Sequence, residues 1–177
     1  MLRDAERREQ ARTPDFRLKQ GEIFPGDRAA VLARSRSGVQ KAFVMRWGFG
    51  MEKRLVFNAR SESAAVKPMF RESMAARRCL VPASGYFEWD HREKKPPRYL
   101  FTREGGMMFM AGLYRPEDAH GHAFTILTRD AAPALAHFHP RMPVILAPEA
   151  AARWLDHALP PEDALQCAVD ALTWTLA

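Results

Sequence analysis

The chain is poor in cysteine. Its 177 residues contain two, Cys79 and Cys167. Two thiols make no disulfide framework, and no CxxC pair suggests zinc. Both sit in apolar surroundings, RRCLVP and LQCAV, so each is expected to be a small buried hydrophobe. Long hydrophobic runs are missing too. No stretch approaches the roughly 18 apolar residues of a membrane span. The first twelve residues, MLRDAERREQAR, lack the apolar core of a secretory signal. A soluble, cytoplasmic protein without a membrane partner is expected. Internal repeats, linkers and low-complexity tracts are also lacking, which leaves one domain over residues 1–177.

Nearly half of the residues are apolar (47%), enough to bury a core without staples. Lys and Arg outnumber Asp and Glu by 27 to 21, a net charge of +6. That balance suits a polyanion such as nucleic acid, and it equally suits a solubilising surface.

Residues 3–13 are rich in Arg, Glu and Ala and read as a surface helix that Pro14 ends. From Phe16 the pattern changes to short apolar runs of strand length, at 29–33, 41–47, 54–58, 78–82, 85–89, 98–102, 107–114 and 122–128. Glu104-Gly105-Gly106 marks a hairpin turn, and residues 91–97 form a longer basic hairpin loop. Short helices are expected at Ser61–Val66 with a Ser cap, at Ala131–Phe138 capped by Asp130, after Pro148, and at 161–168. A closing strand is expected at 172–176. The fold class is α+β, with a mainly antiparallel, curled or barrel-like β-sheet and flanking helices.

Four segments carry more chemistry than a scaffold needs. Trp47-Gly48-Phe49 is followed by Asn58-Ala59-Arg60, which places an amide and a guanidinium on one strand face. Arg60 suits a phosphate; a solvated strand-end Arg fits as well. Glu88 lies among Tyr86, Phe87 and Trp89, where a carboxylate should be desolvated and suited to acid–base work, or should pair a core Arg. Thr128 ends an apolar strand. His139 and Arg141 share a turn bracketed by Pro140 and Pro143, a rigid loop with a proton carrier and a phosphate ligand. The His137-x-His139 spacing has no third ligand set nearby, so no metal and no cofactor is expected.

In order, WG, NAR-E, RRC-VPASG-FEW, AGL, FTILT and H-x-RMPV-L resemble the SOS response-associated peptidase family, from about Gly21 to Trp154. Gly21 to Pro25 resembles a Pro-bearing loop of that family. The resemblance implies recognition of abasic sites in single-stranded DNA, in the response to DNA damage. It also implies covalent capture, in which an N-terminal cysteine closes a thiazolidine on the sugar aldehyde. An α-amine is partly neutral at pH 7, and its neighbouring thiol traps the imine intramolecularly. By motif, Asn58 would position the sugar. Glu88 would serve the amine and leader removal, and His139 the deoxyribose oxygen. Trp47, Arg60, Thr128, Arg141 and Pro25 would line the DNA groove. The implied partner is single-stranded DNA with abasic sites, bound by a monomer.

This chain departs from the family at its start. The family begins Met-Cys-Gly-Arg, whereas Met1-Leu2-Arg3-Asp4 stand here and no cysteine precedes Cys79. Leu2 is also too bulky for ordinary Met removal. Pro140 stands where the family often has Asp. A truncated start is the expectation, because Asn58, Glu88 and His139 are all present. A plain single-stranded DNA-binding module is the alternative from another class, and a peptidase acting on its own leader a third.

Overall fold

A computed structural model describes residues 21–35, 37–117 and 121–177. The helix expected at 3–13 lies outside the described residues.

Five strands close on themselves. β1 (Arg28–Arg34) pairs antiparallel with β2 (Gln40–Trp47) and with β6 (Arg78–Ala83); β6 pairs with β9 (Met108–Glu117), and β9 with β10 (Gly121–Asp130). β10 returns to β2 in parallel, with Ala123 opposite Arg46 and Phe124 opposite Trp47, and so closes the barrel. Alternate residues point inward, as strand geometry requires. Val31, Met45, Cys79, Met110, Phe124 and Ile126 accordingly share one core. The opposite face of β6, β9 and β10 supplies Leu80, Leu113 and Leu127 to a second core, which helices cover.

Those helices are α1 (Ser61–Ala64), α2 (Arg71–Ala76), α3 (Pro148–Trp154) and α4 (Pro161–Leu165). Ala64, Met74, Ala150, Ala151, Trp154 and Ala164 are their buried hydrophobic residues in this layer. Trp154 is fully buried, and its indole N–H donates to the Cys79 carbonyl at 2.8 Å. Pro148 occupies the first turn of α3, where its missing N–H costs nothing.

The remaining strands attach to this frame. β3 (Phe49–Met51) and β4 (Arg54–Val56) form a hairpin. β5 (Asn58–Arg60) runs parallel to the second half of β10. β7 (Tyr86–Trp89), β8 (Arg98–Thr102) and β13 (Thr173–Leu176) form a separate three-stranded sheet. β11 (Arg141–Pro143) and β12 (Ile145–Leu146) pair with β10 and β9.

Every expected strand forms, with boundaries shifted by a few residues. Four local expectations do not hold. Glu104-Gly105-Gly106 turns the chain but closes no hairpin, because β8 pairs with β7 and β13 whereas β9 pairs with β6, β10 and β12. Residues 131–138 form turns rather than a helix. The carboxylate meant to cap it, Asp130, is held by Arg141 at 2.5 Å, and prolines stand at 133 and 140. Ser61 makes no cap either: it is the first residue inside α1, and Arg60 occupies the cap position without a side-chain bond. Cys167 is exposed, not buried. It follows α4 by two residues, where the neighbouring Ala164 takes the buried position and the thiol reaches only the Asp163 carbonyl.

Candidate functional site

The second half of β10 organises the site. On one side it meets β5, with Ile126 opposite Asn58 and Thr128 opposite Arg60. On the other it meets β11, with Thr128 opposite Pro143 and Asp130 opposite Arg141. Asn58 and Arg60 are exposed while Ala59 between them is buried, so the amide and guanidinium do share one face. Four of the expected residues thus lie along five residues of one strand.

Arg141 is tightly engaged. Its two terminal nitrogens donate to both carboxylate oxygens of Glu62 at 2.9 and 2.8 Å. They also donate to Asp130 and to the Thr128 carbonyl, at 2.5 and 2.7 Å. The hydrogen bond from Arg141 holds the Glu62 carboxyl below its ordinary range, although burial opposes this. The same bond raises the guanidinium. A phosphate at Arg141 must therefore compete with two carboxylates of the chain itself.

His139 is fixed by its neighbour. Nδ1 lies 3.1 Å from the Arg141 N–H and 2.9 Å from the Arg141 carbonyl oxygen. It accepts from the first in one tautomer and donates to the second in the other. In both, Nε2 is the nitrogen left for a ligand, as donor or as acceptor.

Trp47 ends β2 half-buried. Its indole donates to the Phe57 carbonyl at 2.9 Å, and its ring stacks on Phe124 with centroids 6.3 Å apart. Phe57 meets it edge-on at 6.0 Å and is itself 41% exposed. The exposed ring beside Asn58 is therefore Phe57. Pro25 sits exposed in a turn whose Gly26 N–H donates to the Trp47 carbonyl at 2.7 Å.

Glu88 comes from the other sheet. It pairs with Tyr99, as Tyr86 pairs with Phe101, so these four side chains share a face. Phe138 packs on that face, 4.9 Å from Tyr99 and 5.1 Å from Phe101 between ring centroids. The residue before His139 thus anchors its loop on the face that carries Glu88. Glu88 itself is half-buried, forms no salt bridge with any described residue, and accepts the Trp89 N–H at 3.2 Å. It is neither sealed in a core nor paired with a core Arg.

Sequence reasoning missed Glu62, Asp130 and Phe57. Glu62 stands two residues past Arg60 in the same motif, and Phe57 directly precedes Asn58. Both were legible as neighbours of the motif. The pairing of Asp130 with Arg141 depends on β11 returning alongside β10.

A family model described as SOS response-associated peptidase (SRAP) matches residues 2–175. The chain belongs to this family. The SRAP chain is 33% identical to the Escherichia coli abasic site processing protein YedK over 155 residues, covering 82% of itself and 68% of YedK. It is 32% identical to the Saccharomyces cerevisiae abasic site processing protein YMR114C over 166 residues, covering 86% of itself and 41% of that protein. The chain thus spans about two-fifths of the yeast relative's length. A crystal structure of a Bordetella bronchiseptica protein shares the fold, with a TM-score of 0.75 and 26% identity over 96% of this chain and 94% of that one. Among the described residues of the SRAP chain, no helix is long and apolar enough to cross a membrane.

Proposed function

We propose that this chain recognises and processes abasic sites in single-stranded DNA. The observation that carries the reading is the alignment of Asn58, Arg60, Thr128 and Arg141 along β10, with His139 held by the Arg141 backbone. The relatives' names supply the lesion. In this reading Arg60 and Arg141 take backbone phosphates, Asn58 orients the ring-opened sugar, and Trp47, Pro25 and Thr128 line the groove. His139 Nε2 and Glu88 move protons at the deoxyribose oxygen and at an attacking amine. One domain carries all of these groups, and the bound form is a monomer.

Covalent capture is the finer part of the reading. It requires an α-amine and a thiol on adjacent carbons, and leader removal assisted by Glu88 would expose that pair. Within these 177 residues Cys79 is buried and Cys167 sits after α4, and the amine of each is a peptide nitrogen. That observation favours, as second reading, non-covalent binding by the chain as it stands.

The test is fluorescence anisotropy with single-stranded oligonucleotides, intact or carrying one abasic site. Tighter binding of the abasic strand is expected, by about tenfold (about 1.4 kcal/mol), and Asn58→Ala or His139→Ala should reduce that preference. Equal affinities for the two strands would overturn the proposal.

A further inference from the structure

The first half of β10 leads to a cleft that the abasic-site reading does not use. Ala123 pairs with Arg46 of β2 on one side and with Arg115 of β9 on the other. The β3–β4 hairpin stands beside them and completes an open cleft of about 870 Å³. Arg46, Arg115 and Glu117 form its less exposed part; Lys53, Arg54 and Leu55 belong to the hairpin.

Glu117 organises the floor. One oxygen accepts from the Gly50 N–H at 2.8 Å and from Arg115 at 3.1 and 2.9 Å; the other accepts from Arg46. Arg115 also donates to the Gly50 carbonyl at 2.8 Å and lies 4.5 Å from the Phe49 ring centroid. Burial pushes the Glu117 carboxyl up, but these hydrogen bonds outweigh it and keep the group ionised. One carboxylate therefore fixes two guanidiniums and the hairpin backbone, and a positive charge is left over.

The rim adds to that excess. Lys53 and Arg54 are exposed and form no salt bridge with a described residue. Glu52, the second carboxylate of the cleft, adopts φ 35° at the hairpin tip. A non-glycine residue rarely takes that conformation, which a tight two-residue turn demands. The turn sets Lys53 and Arg54 at a defined place on the rim.

The cleft connects to the candidate site. Leu55 packs against Gly48, where an added Cβ would meet it at 3.0 Å, and against Gly26 beside Pro25. Asn58 follows Arg54 by four residues, at most about 14 Å of extended chain. Phe57, with its ring exposed, stands between them in the chain. Trp47 and Arg46 are consecutive in β2 and face opposite sides of the sheet. A strand running from Asn58 past Phe57 to Arg46 would have to round the end of β2.

We propose that this cleft binds the phosphodiester backbone of the DNA strand flanking the abasic nucleotide, with Phe57 stacking a base on the way. Alternation of an exposed ring with cations is how proteins track single strands. The proposal rests on the abasic-site reading.

The test measures anisotropy of the 177-residue chain with three abasic oligonucleotides. One is short, about 6 nucleotides, and the others are extended by about 8 on the 5′ or the 3′ side. Extension on one side only should tighten binding, by about tenfold, and steepen the salt dependence by about 0.7 per added phosphate contact. The double variant K53E/R54E should abolish that gain, and K53Q/R54Q should reduce it, with circular dichroism confirming the fold. An extension of uncharged methylphosphonates should give no gain. Equal affinity for all three strands, or a gain that survives K53E/R54E, overturns the cleft and leaves the abasic-site reading in place. Loss of the abasic preference with the short oligonucleotide overturns that reading instead, and no binding by any strand overturns both.

Discussion

Arg141 presents both its backbone N–H and its carbonyl oxygen to one ring nitrogen of His139, at 3.1 and 2.9 Å. The same residue is locked by Glu62 and Asp130. The imidazole orientation thus depends on a guanidinium clamp rather than on contacts of the ring alone. Replacing Arg141 with Ala should weaken binding to all single-stranded sequences alike, because a phosphate contact reads no bases. Thermal unfolding should also drop by a few degrees, corresponding to about 1 kcal/mol. Lysine should restore little of either, since it cannot span both Glu62 oxygens. Full recovery in Arg141→Lys would show that charge alone matters there.

Much of this arrangement was legible in the sequence. The alternation of short apolar runs and turns located the strands of the barrel and of the second sheet. The NAR motif reported its own face, because alternation alone puts Asn58 and Arg60 together. What stayed hidden depends on long-range pairing. The parallel closure of β10 on β2 joins residues 77 apart, and the clamp of Glu62 on Arg141 joins residues 79 apart. Local patterns carry no trace of either. Asp130 illustrates the cost: as a single residue before an Ala-rich run it reads as a helix cap, whereas the returning β11 claims its carboxylate.

Trp154 should be the most sensitive helix residue for stability. It is fully buried against β6 and donates its indole N–H to the Cys79 carbonyl. Trp154→Ala leaves a large cavity and removes the indole hydrogen bond to the Cys79 carbonyl, and should cost about 3–5 kcal/mol in a urea titration. Trp154→Phe keeps part of the volume and should cost clearly less. A loss below about 1 kcal/mol for the Ala variant would mean that α3 contributes little to the core.

The two cysteines should separate cleanly under a thiol reagent. Cys79 is fully buried, and burial pushes its thiol far above the ordinary range, so it should react only on unfolding. Cys167 is exposed and should react in the native state. Cys79→Ser should lower stability, because a hydroxyl replaces a small hydrophobe among Gly112 and Val81. Cys167→Ser should be nearly silent. Reaction of one thiol per native chain is the expected count, and reaction of none or both would contradict these placements.

The basic loop after β7 has a pH-dependent brace. The hydrogen bond from Arg92 lowers the Asp90 carboxyl to about 2, against the opposing effect of burial. A carboxyl lowered on folding contributes stability above its unfolded value, about 3.9. That contribution falls away as pH drops from about 4 toward 2. Asp90→Asn removes the titrating group, so its urea midpoint should change less over this interval than that of the parent chain. Parallel pH profiles would exclude Asp90 as the source.

The 177-residue polypeptide should form no heat-stable adduct with abasic DNA. A thiazolidine needs an amine and a thiol on adjacent carbons, and only an N-terminal cysteine offers both. Leu2 follows Met1 in this polypeptide, and the amines of Cys79 and Cys167 are tied up in peptide bonds. Burial also keeps Cys79 protonated and out of reach. A lysine or the terminal amine can still form an imine with the sugar aldehyde, but an imine hydrolyses or leads to strand cleavage by β-elimination. Borohydride should therefore trap a band that is missing without it. Adding Met-Cys-Gly-Arg ahead of the chain, with the Met removed, supplies the missing pair and should give a band that survives heating without reductant. The measurement is denaturing gel electrophoresis with a labelled abasic oligonucleotide. A heat-stable band from the unextended polypeptide would mean that a different nucleophile captures the lesion, with Cys167 the first residue to replace.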